Sequence, residues 1–357
     1  MPRNTLARIH QDALRQNLSR VRVLAPGRKI MAVVKADAYG HRLDLCLPAL
    51  KDADLLAVAT MEEARAIRRL GSGLPVMLLE GVIHSADLAV AADLELELTL
   101  HHPAQVDALT RFGRSPTPRL WLKVESGMHR LGLPPEQLGD LYRRLERLPG
   151  VEQINLVSHF ARADEQDPAP TRRQMDRFLH QVNGLPGELC LANSAAILGH
   201  PDSHADWVRA GIMLYGISPI AGKTGAELGL APVMTLSTEL ISVKNVPAGE
   251  AIGYGGRFVT SAPMRLGVAA IGYGDGYPRS MADGAPVLVN GVSCALAGRV
   301  SMDMITIDLA ACPEAAIGDT VVLWGDGLPI ETLAAAADTI PYELVCRVTR
   351  RVRYRAG

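Results

Sequence analysis

Six of the 37 basic residues are lysines, and two of these stand where an ammonium group is costly. Lys35 ends the apolar run Ile30 to Val34, and Lys123 sits inside Leu120-Trp121-Leu122-Lys123-Val124, so each interrupts a segment that reads as a buried strand. Burial disfavours the charged form of an amine and lowers its pKa. A neutral amine at a strand end is a nucleophile for an aldehyde, with which it forms a Schiff base. The competing reading of such a lysine is a side chain snorkelling from the strand end into water. Other polar residues follow apolar runs in the same manner: Arg130 downstream of Lys123, His159 after Ile154 to Ser158, Ser194 after Leu189 to Ala192, and Arg209 with Gly211 on Val208 to Leu214.

These residues are useful to one another only if the chain gathers them. Eight short apolar runs occur before residue 215: Ile30 to Val34, Leu55 to Val58, Val76 to Leu79, Leu94 to Leu100, Leu120 to Val124, Ile154 to Ser158, Leu189 to Ala192 and Val208 to Leu214. Helical segments lie between them. Leu14, Leu18, Val21 and Ala25 share a helical period, Thr60-Met61-Glu62-Glu63 is a capping box, and Leu138, Leu141, Leu145 and Leu148 line a helix that stops at Pro149-Gly150. Strands alternating with helices imply a parallel sheet, and eight units match a (β/α)8 TIM-type barrel, typically about 250 residues. In that fold the residues just after the strands converge at one face, where the chemistry is done.

From about Pro232 the pattern changes to alternating segments, Thr235 to Val243, Pro286 to Val289 and Met304 to Leu309, with Asn290-Gly291 as a hairpin signal and a short helix at Glu331 to Ala337. The expected fold is therefore α/β, with a barrel over 1–231 followed by a mainly β domain over 232–357. The first residues of the chain are available to pair with the second domain. No internal repeat or long linker separates the two, so they are expected to pack tightly.

Composition narrows the function classes. Hydrophobic residues form 48% of the 357 and charged residues 21%, with a formal net charge of -1. Neither nucleic acid nor a membrane surface is called for as a partner. Five scattered cysteines without a C-x-x-C pair make no disulfide framework, and no metal site is expected. The opening stretch lacks an apolar signal core, and no run approaches the roughly 20 residues that span a bilayer. A cytoplasmic location is the expectation.

The string Lys35-Ala36-Asp37-Ala38-Tyr39-Gly40-His41 resembles the pyridoxal 5'-phosphate (PLP) signature of the alanine racemases. Further matching stretches are Lys123 to Gly132, Ser158 to Ala161, Asn193 to Ala196, Arg209 to Gly216, Gly253-Tyr254-Gly255, Gly272 to Arg279 and Gly298 to Asp303. The resemblance runs from near residue 5 to the last residues. One departure is Arg42, where the family commonly has a second glycine, and it bears on loop geometry.

The resemblance implies a PLP-dependent racemase of L- and D-alanine. Lys35 would carry the cofactor and act as one base, and Tyr254 would be the other, on the opposite face of the substrate. Racemisation takes a proton from one face of Cα and returns one to the other, so two bases facing each other are the economical arrangement. A tyrosine titrates ordinarily near 10, so its surroundings must lower that value; His159, oriented by Arg209, is the expected helper. Arg209 would meet the pyridine nitrogen and, having no acceptor, would leave the ring a weaker electron sink than a carboxylate would. Tyr39, Ser194, Gly211, Ile212 and Tyr342 match the phosphate-binding positions. Arg130, Tyr273, Arg279, Met302 and Asp303 match residues around the substrate carboxylate and entrance.

For Lys123, a second cation near Arg130, the resemblance implies carbamylation, whose anionic product would grip the arginine; the plain alternative is an unmodified amine reaching Glu125 or water. The resemblance further implies a head-to-tail homodimer in which Lys35 and Tyr254 of one site come from different chains, serving either D-alanine supply for peptidoglycan or D-alanine degradation. Two rivals remain at this level: a non-catalytic PLP-carrier protein, which lacks a second β domain, and a fold-related PLP decarboxylase.

Overall fold

The structure, a computed structural model, describes residues 4–115 and 117–357. Its centre is a closed parallel barrel of strands β2 (Lys29–Val33), β3 (Leu55–Val58), β4 (Val76–Leu78), β5 (Leu96–Leu100), β6 (Arg119–Lys123), β7 (Gln153–Val157), β8 (Leu189–Cys190) and β9 (Trp207–Ala210), preceded by β1 (Leu6–Ile9). Pairing of β2 with β9, from Lys29 opposite Trp207 to Ala32 opposite Ala210, closes the ring. The apolar runs are nearly continuous because both faces of these strands are covered. Met31, Val33, Leu55, Ala57, Met77, Trp121, Val157, Cys190 and Trp207 fill the interior, whereas the alternate residues Ile30, Ala32, Leu56 and Val58 pack under the surrounding helices.

All eight expected strands are present; those expected at Leu94 to Leu100 and Leu189 to Ala192 are shorter, and the largest difference is at the last. It stops at Ala210, and Ile212–Tyr215 forms a tight 3-10 turn, so Gly211 lies after the strand and not on it. Chain reversal there is set by hydrogen bonds that strand pairing cannot supply: the Gly211 N–H donates to the Ser194 hydroxyl at 2.9 Å, and the Leu214 N–H to the Gly211 carbonyl at 2.9 Å.

The end of the barrel where the strands begin is plugged by tryptophans. Trp121 and Trp207 meet edge to face at 5.5 Å, and their indole N–H groups donate to Glu97 and Glu188 at 2.6 Å each. Polar tips that would otherwise be orphaned in the core are thereby satisfied. The plug leaves the opposite end, where the strands finish, for other side chains.

The remaining strands are β10 (Met234–Val246), β11 (Ala251–Ile252), β12 (Phe258–Val259), β13 (Met264–Ala269), β14 (Pro286–Val289), β15 (Val292–Leu296), β16 (Ile305–Asp308), β17 (Thr320–Trp324) and β18 (Arg353–Ala356). Their main sheet runs β13-β16-β15-β14-β17-β10-β1-β18, and a further pairing of β13 with the long β10 curls six strands into a ring. β1 runs antiparallel to β10 and parallel to β18. Asn290 and Gly291, with φ of 50° and 81°, make the hairpin between β14 and β15, since a two-residue turn of this hand needs positive φ at both positions. Among the described residues no helix is long and apolar enough to cross a membrane, no cluster of side chains suits a metal ion, and all five cysteines are free.

Candidate active site

Lys35 emerges two residues after β2 and begins an unusual turn. Ala36, Asp37, Ala38 and Tyr39 all have left-handed backbone angles, with φ between 52° and 57°. For side chains larger than glycine's hydrogen this hand costs roughly 1–2 kcal/mol per residue, so the surroundings must enforce it. They do so with many bonds. The Ala38 N–H donates to the Val34 carbonyl and the Gly40 N–H to the Ala36 carbonyl at 2.9 and 2.8 Å. Asp37 accepts from the Leu43 N–H at 2.7 Å, and Tyr354 donates to the Gly40 carbonyl at 3.1 Å. Glu63 reaches over from the helix Met61–Arg69, accepting from the Ala36 N–H at 2.6 Å and from the N–H groups of Ala59 and Thr60 at 2.9 and 3.2 Å. Gly40 closes the turn against the Val345 carbonyl, where a Cβ would lie 2.1 Å away. Arg42 takes a left-handed φ of 69°, a hand that favours glycine, while its guanidinium sits over Tyr354 at 5.7 Å.

Around Lys35 the strand ends gather a basic cluster. Arg209 on β9 is 6% exposed, and its guanidinium donates to the Ser158 carbonyl at 2.8 Å, the Cys190 sulfur at 3.0 Å and His159 Nδ1 at 2.9 Å. A guanidinium has no acceptor, so Nδ1 of His159 accepts and Nε2 carries the proton. Burial pushes the His159 pKa well below its ordinary value, and Arg209, Lys123, Arg130 and Lys35 push it further, so this ring is neutral. Lys123, the last residue of β6, is lowered to about 8 by burial and then by Arg209, Arg130 and Lys35. Glu125 is not its partner, because that carboxylate accepts from the N–H groups of Gly127 and His129 and shapes the loop leading to the exposed Arg130.

Among the described residues none of Lys35, Lys123, Arg130 and Arg209 has a carboxylate within ion-pair distance. Only Glu80 opposes the charge at Lys123, from farther away. Four cations around a neutral imidazole suit a bound anion. A recess for one lies beside them. The Ser194 hydroxyl, opening the helix Ser194–Gly199, accepts from Gly211 and Met213 N–H at 2.9 and 3.4 Å. A Cβ on Gly211 would stand 2.9 Å from the Tyr39 hydroxyl and 3.7 Å from that of Ser194. Tyr342 joins the recess through its ring, 6.2 Å from that of Tyr39, and Ile212 follows Gly211 directly. Burial raises both phenols, Tyr39 to about 12, so each is a neutral O–H.

A second group forms on the β domain. Gly272 lies so near the Ser301–Met302 backbone that a Cβ would come within 2.2 Å of the Ser301 carbonyl, and Tyr273 and Gly274 N–H donate to the carbonyls of Ser301 and Met302 at 3.0 and 2.9 Å. Tyr254 lies in the turn between β11 and β12, just after Gly253, where a Cβ would stand 3.6 Å from the Arg299 main-chain nitrogen. Tyr254 is 71% exposed and Met302 52%, with Tyr273 and Arg279 also at the surface. Asp303 is held by Arg351 at 2.5 Å, and Arg351 also reaches Asp275 at 3.3 Å. No hydrogen bond, ion pair or ring contact among the described residues joins Tyr254 to the Lys35 cluster. The fold thus unites the barrel candidates in one place and those of residues 254–303 in another.

Several contributors were missed from sequence. Glu63 was visible only as half of a capping box, Cys190 only as strand interior, and Arg351 only as one of many arginines.

Comparison with known proteins agrees with this architecture. The family model described as "Alanine racemase, N-terminal domain" matches residues 9–219, and "Alanine racemase, C-terminal domain" matches 233–356. An alanine racemase of Nitrosococcus oceani is 50% identical over 96% of this chain and 97% of its own length. Biosynthetic alanine racemase of Escherichia coli is 47% identical over 96% of each. Among solved structures, the biosynthetic alanine racemase of Pseudomonas aeruginosa superposes with a TM-score of 0.95 at 44% identity, covering 99% of both chains. One from Bartonella henselae, described with covalently bound pyridoxal phosphate, superposes with a TM-score of 0.90 at 27% identity over 100% of both. With both halves matched by the family's models and relatives aligned along nearly all of its length, this chain belongs to the alanine racemase family.

Proposed function

We propose that the chain interconverts L- and D-alanine with PLP, using Lys35 and Tyr254 as the two bases. The observation that carries the reading is the barrel-end cluster: a buried arginine donating to a neutral histidine, beside a hydroxyl-lined recess and among cations without carboxylate partners. Lys35 Nζ would hold the cofactor, Arg209 would face its ring nitrogen, and Tyr39, Ser194, Gly211, Ile212 and Tyr342 would receive its phosphate. When bound, PLP supplies the electron sink that makes the Cα proton of an amino acid labile. Lys35 exchanges that proton at Nζ from one side, and Tyr254 at Oη from the other. The Nε2–H of His159, kept in place by Arg209, donates toward a phenolate and so favours the basic form of Tyr254. Arg130, Met302, Tyr273 and Asp303 bind and orient the substrate.

Two finer parts of the reading rest on particular features. Tyr254 is 71% exposed within one chain, and this supports a head-to-tail homodimer in which the β domain of one chain covers the barrel (1–231) of the other. Lys123, lowered to about 8, has a reactive neutral fraction near Arg130, which supports its carbamylation. Either D-alanine synthesis for peptidoglycan or D-alanine breakdown, in the cytoplasm, is served by the same step.

The test is direct. The protein is loaded with PLP, reduced with borohydride and mapped, and in parallel each alanine enantiomer is followed by chiral chromatography. A pyridoxyl label on Lys35 together with racemisation from both sides is expected. A colourless, unlabelled protein, or a labelled one that leaves both enantiomers unchanged, defeats the reading; the second result is what the PLP-carrier rival would give.

A further inference from the structure

Tyr254 stands on a tip that its own residues do little to fix. The turn over 253–257 joins β11 and β12, strands of two residues each, and the Gly256 N–H donates across it to the Gly253 carbonyl at 3.3 Å. Gly253, Gly255 and Gly256 have φ of 70°, 75° and 55°. Glycine enters this backbone region freely and leaves it as freely, so the residues permit the shape without imposing it. Among the described residues the Tyr254 side chain has no hydrogen bond or ring contact of its own. Below the tip the ribbon is firm: the hydroxyl of Thr260, 2% exposed, donates to the Pro247 carbonyl at 2.7 Å, and Ile252 packs with Leu266 and Ala297.

What holds the tip lies at its last residue. Arg257 donates from Nε to one oxygen of Asp283 at 2.9 Å and from a terminal nitrogen to the other at 3.1 Å, and the same nitrogen donates to the Met281 carbonyl at 2.9 Å. Paired bonds of this kind fix a guanidinium in direction as well as in distance. Asp283 is itself well anchored. The N–H groups of its neighbours Ala282 and Gly284 donate to the Ala336 and Leu296 carbonyls at 3.1 and 2.8 Å, and Met281 is completely buried. The Asp283 carboxylate also accepts from the Gly298 N–H at 2.9 Å, where the segment leading to Met302 and Asp303 begins.

We propose that Arg257 and Asp283 are positioning residues: the fork between them sets where Tyr254 stands, and the shared carboxylate keeps the tip in register with the segment from Gly298 to Asp303. An ion pair whose side chains are 30% and 31% exposed adds little to the stability of a fold, so its effect is geometric. Without it the glycines let the tip swing, and a displacement of about 1 Å at a reacting atom can cost about 100-fold in rate. The kinetic consequence rests on the racemase reading, in which Tyr254 exchanges the proton on one face of the substrate; the tether does not.

Arg257→Met, Arg257→Lys and Asp283→Asn are compared with the unmodified protein, each loaded with PLP. Amide hydrogen exchange followed by mass spectrometry should be faster over 253–257 in Arg257→Met by about threefold or more, with little change in melting temperature. There kcat should fall about tenfold, and less in Arg257→Lys, which keeps a charge but not the fork. Isotope effects separate a misplaced Tyr254 from a general loosening of the fold. With alanine deuterated at Cα, the effect on kcat/KM should rise for the enantiomer whose proton Tyr254 takes and fall for its mirror image, because only one of the two transfers is slowed. Unchanged exchange over 253–257 overturns the tether. Faster exchange with kcat within about twofold, or isotope effects that move together, overturns the aiming of Tyr254. An unmodified protein that racemises neither enantiomer defeats the racemase reading and the kinetic consequence with it, while exchange still judges the tether. Should Arg257→Met fail to fold, Asp283→Asn, which weakens the same fork, is read by the same measurements.

Discussion

Glu63→Gln tests how Lys35, the proposed catalytic lysine, is aimed. The Glu63 carboxylate accepts three backbone N–H groups, those of Ala36, Ala59 and Thr60, at 2.6, 2.9 and 3.2 Å. The first belongs to the residue after Lys35 and opens the left-handed turn. Glutamine has one acceptor oxygen, so its NH2 must confront either the Ala36 N–H or the Ala59 and Thr60 pair. Losing one charge-assisted bond is worth about 1.5–3 kcal/mol when buried, and the partial exposure of this site favours the lower end. That sum is comparable to the roughly 1–2 kcal/mol that one non-glycine residue loses in this backbone hand. Release of the turn is therefore expected to misplace Nζ and lower kcat by about 10- to 100-fold. The melting temperature should move only a few degrees, because the helix Met61–Arg69 keeps its Thr60 cap at 3.3 Å. Ala36→Gly, which removes the penalty at the adjoining residue, should restore part of kcat in the Glu63→Gln background. Steady-state kinetics and calorimetry on the four proteins of this cycle suffice. If kcat of Glu63→Gln stays within twofold of the original, or Ala36→Gly restores nothing, the strained turn is not what aims Lys35.

Four other outcomes are expected. Gly211→Ala puts a methyl 2.9 Å from the Tyr39 hydroxyl, and the lost phosphate bond should weaken PLP binding about 10- to 100-fold in a fluorescence titration; unchanged affinity would remove Gly211 from the recess. His159→Phe deletes the Nε2–H donor, so the limb of the kcat/KM pH profile that reports Tyr254 should move to higher pH, and an unmoved limb would deny His159 its role. Carbon-13 bicarbonate should give a carbamate signal that Lys123→Ala lacks. Because the neutral amine reacts, the signal should grow as pH rises through about 8 and fade below it; no signal at any pH would leave Lys123 a plain cation. Lys35→Ala mixed with Tyr254→Phe should, after subunit exchange, recover about one quarter of full activity, since about half the dimers are mixed and each has one intact site of two. No recovery, with exchange shown by mass labelling, would assign both bases to one chain.

The barrel was readable because its strands are buried on both faces and its helices carry ordinary signals, as at Thr60 and Glu63, where the expected capping box is formed. The hairpin at Asn290-Gly291 was equally plain, since few residue pairs accept positive φ in succession. The end of β9 was not, because Val208 to Leu214 stays apolar after the strand stops and the turn depends on Ser194, 17 residues earlier. The left-handed stretch after Lys35 was invisible for a stronger reason. Ala36, Asp37 and Ala38 have no local preference for that hand, and only contacts from distant Glu63, Tyr354 and Val345 impose it. Residue types at strand ends marked where the structure gathers Lys123, His159 and Arg209 around Lys35, whereas the groups that hold them in place carried no sequence pattern of their own.

The pairing of β1 with β18 sets a schedule for the newborn protein. Leu6 lies opposite Arg353 and Ile9 opposite Ala356, so β1 waits for a partner made after both the barrel and the rest of the β domain. The barrel strands, from Lys29 to Ala210, can close while residues beyond 211 are still being synthesised, but Ala7 and Ile9, fully buried in the end, spend that interval without their cover. Chains that stop before β18 would therefore carry a finished barrel and a β1 open along one edge, the kind of exposed strand on which chaperones and proteases act.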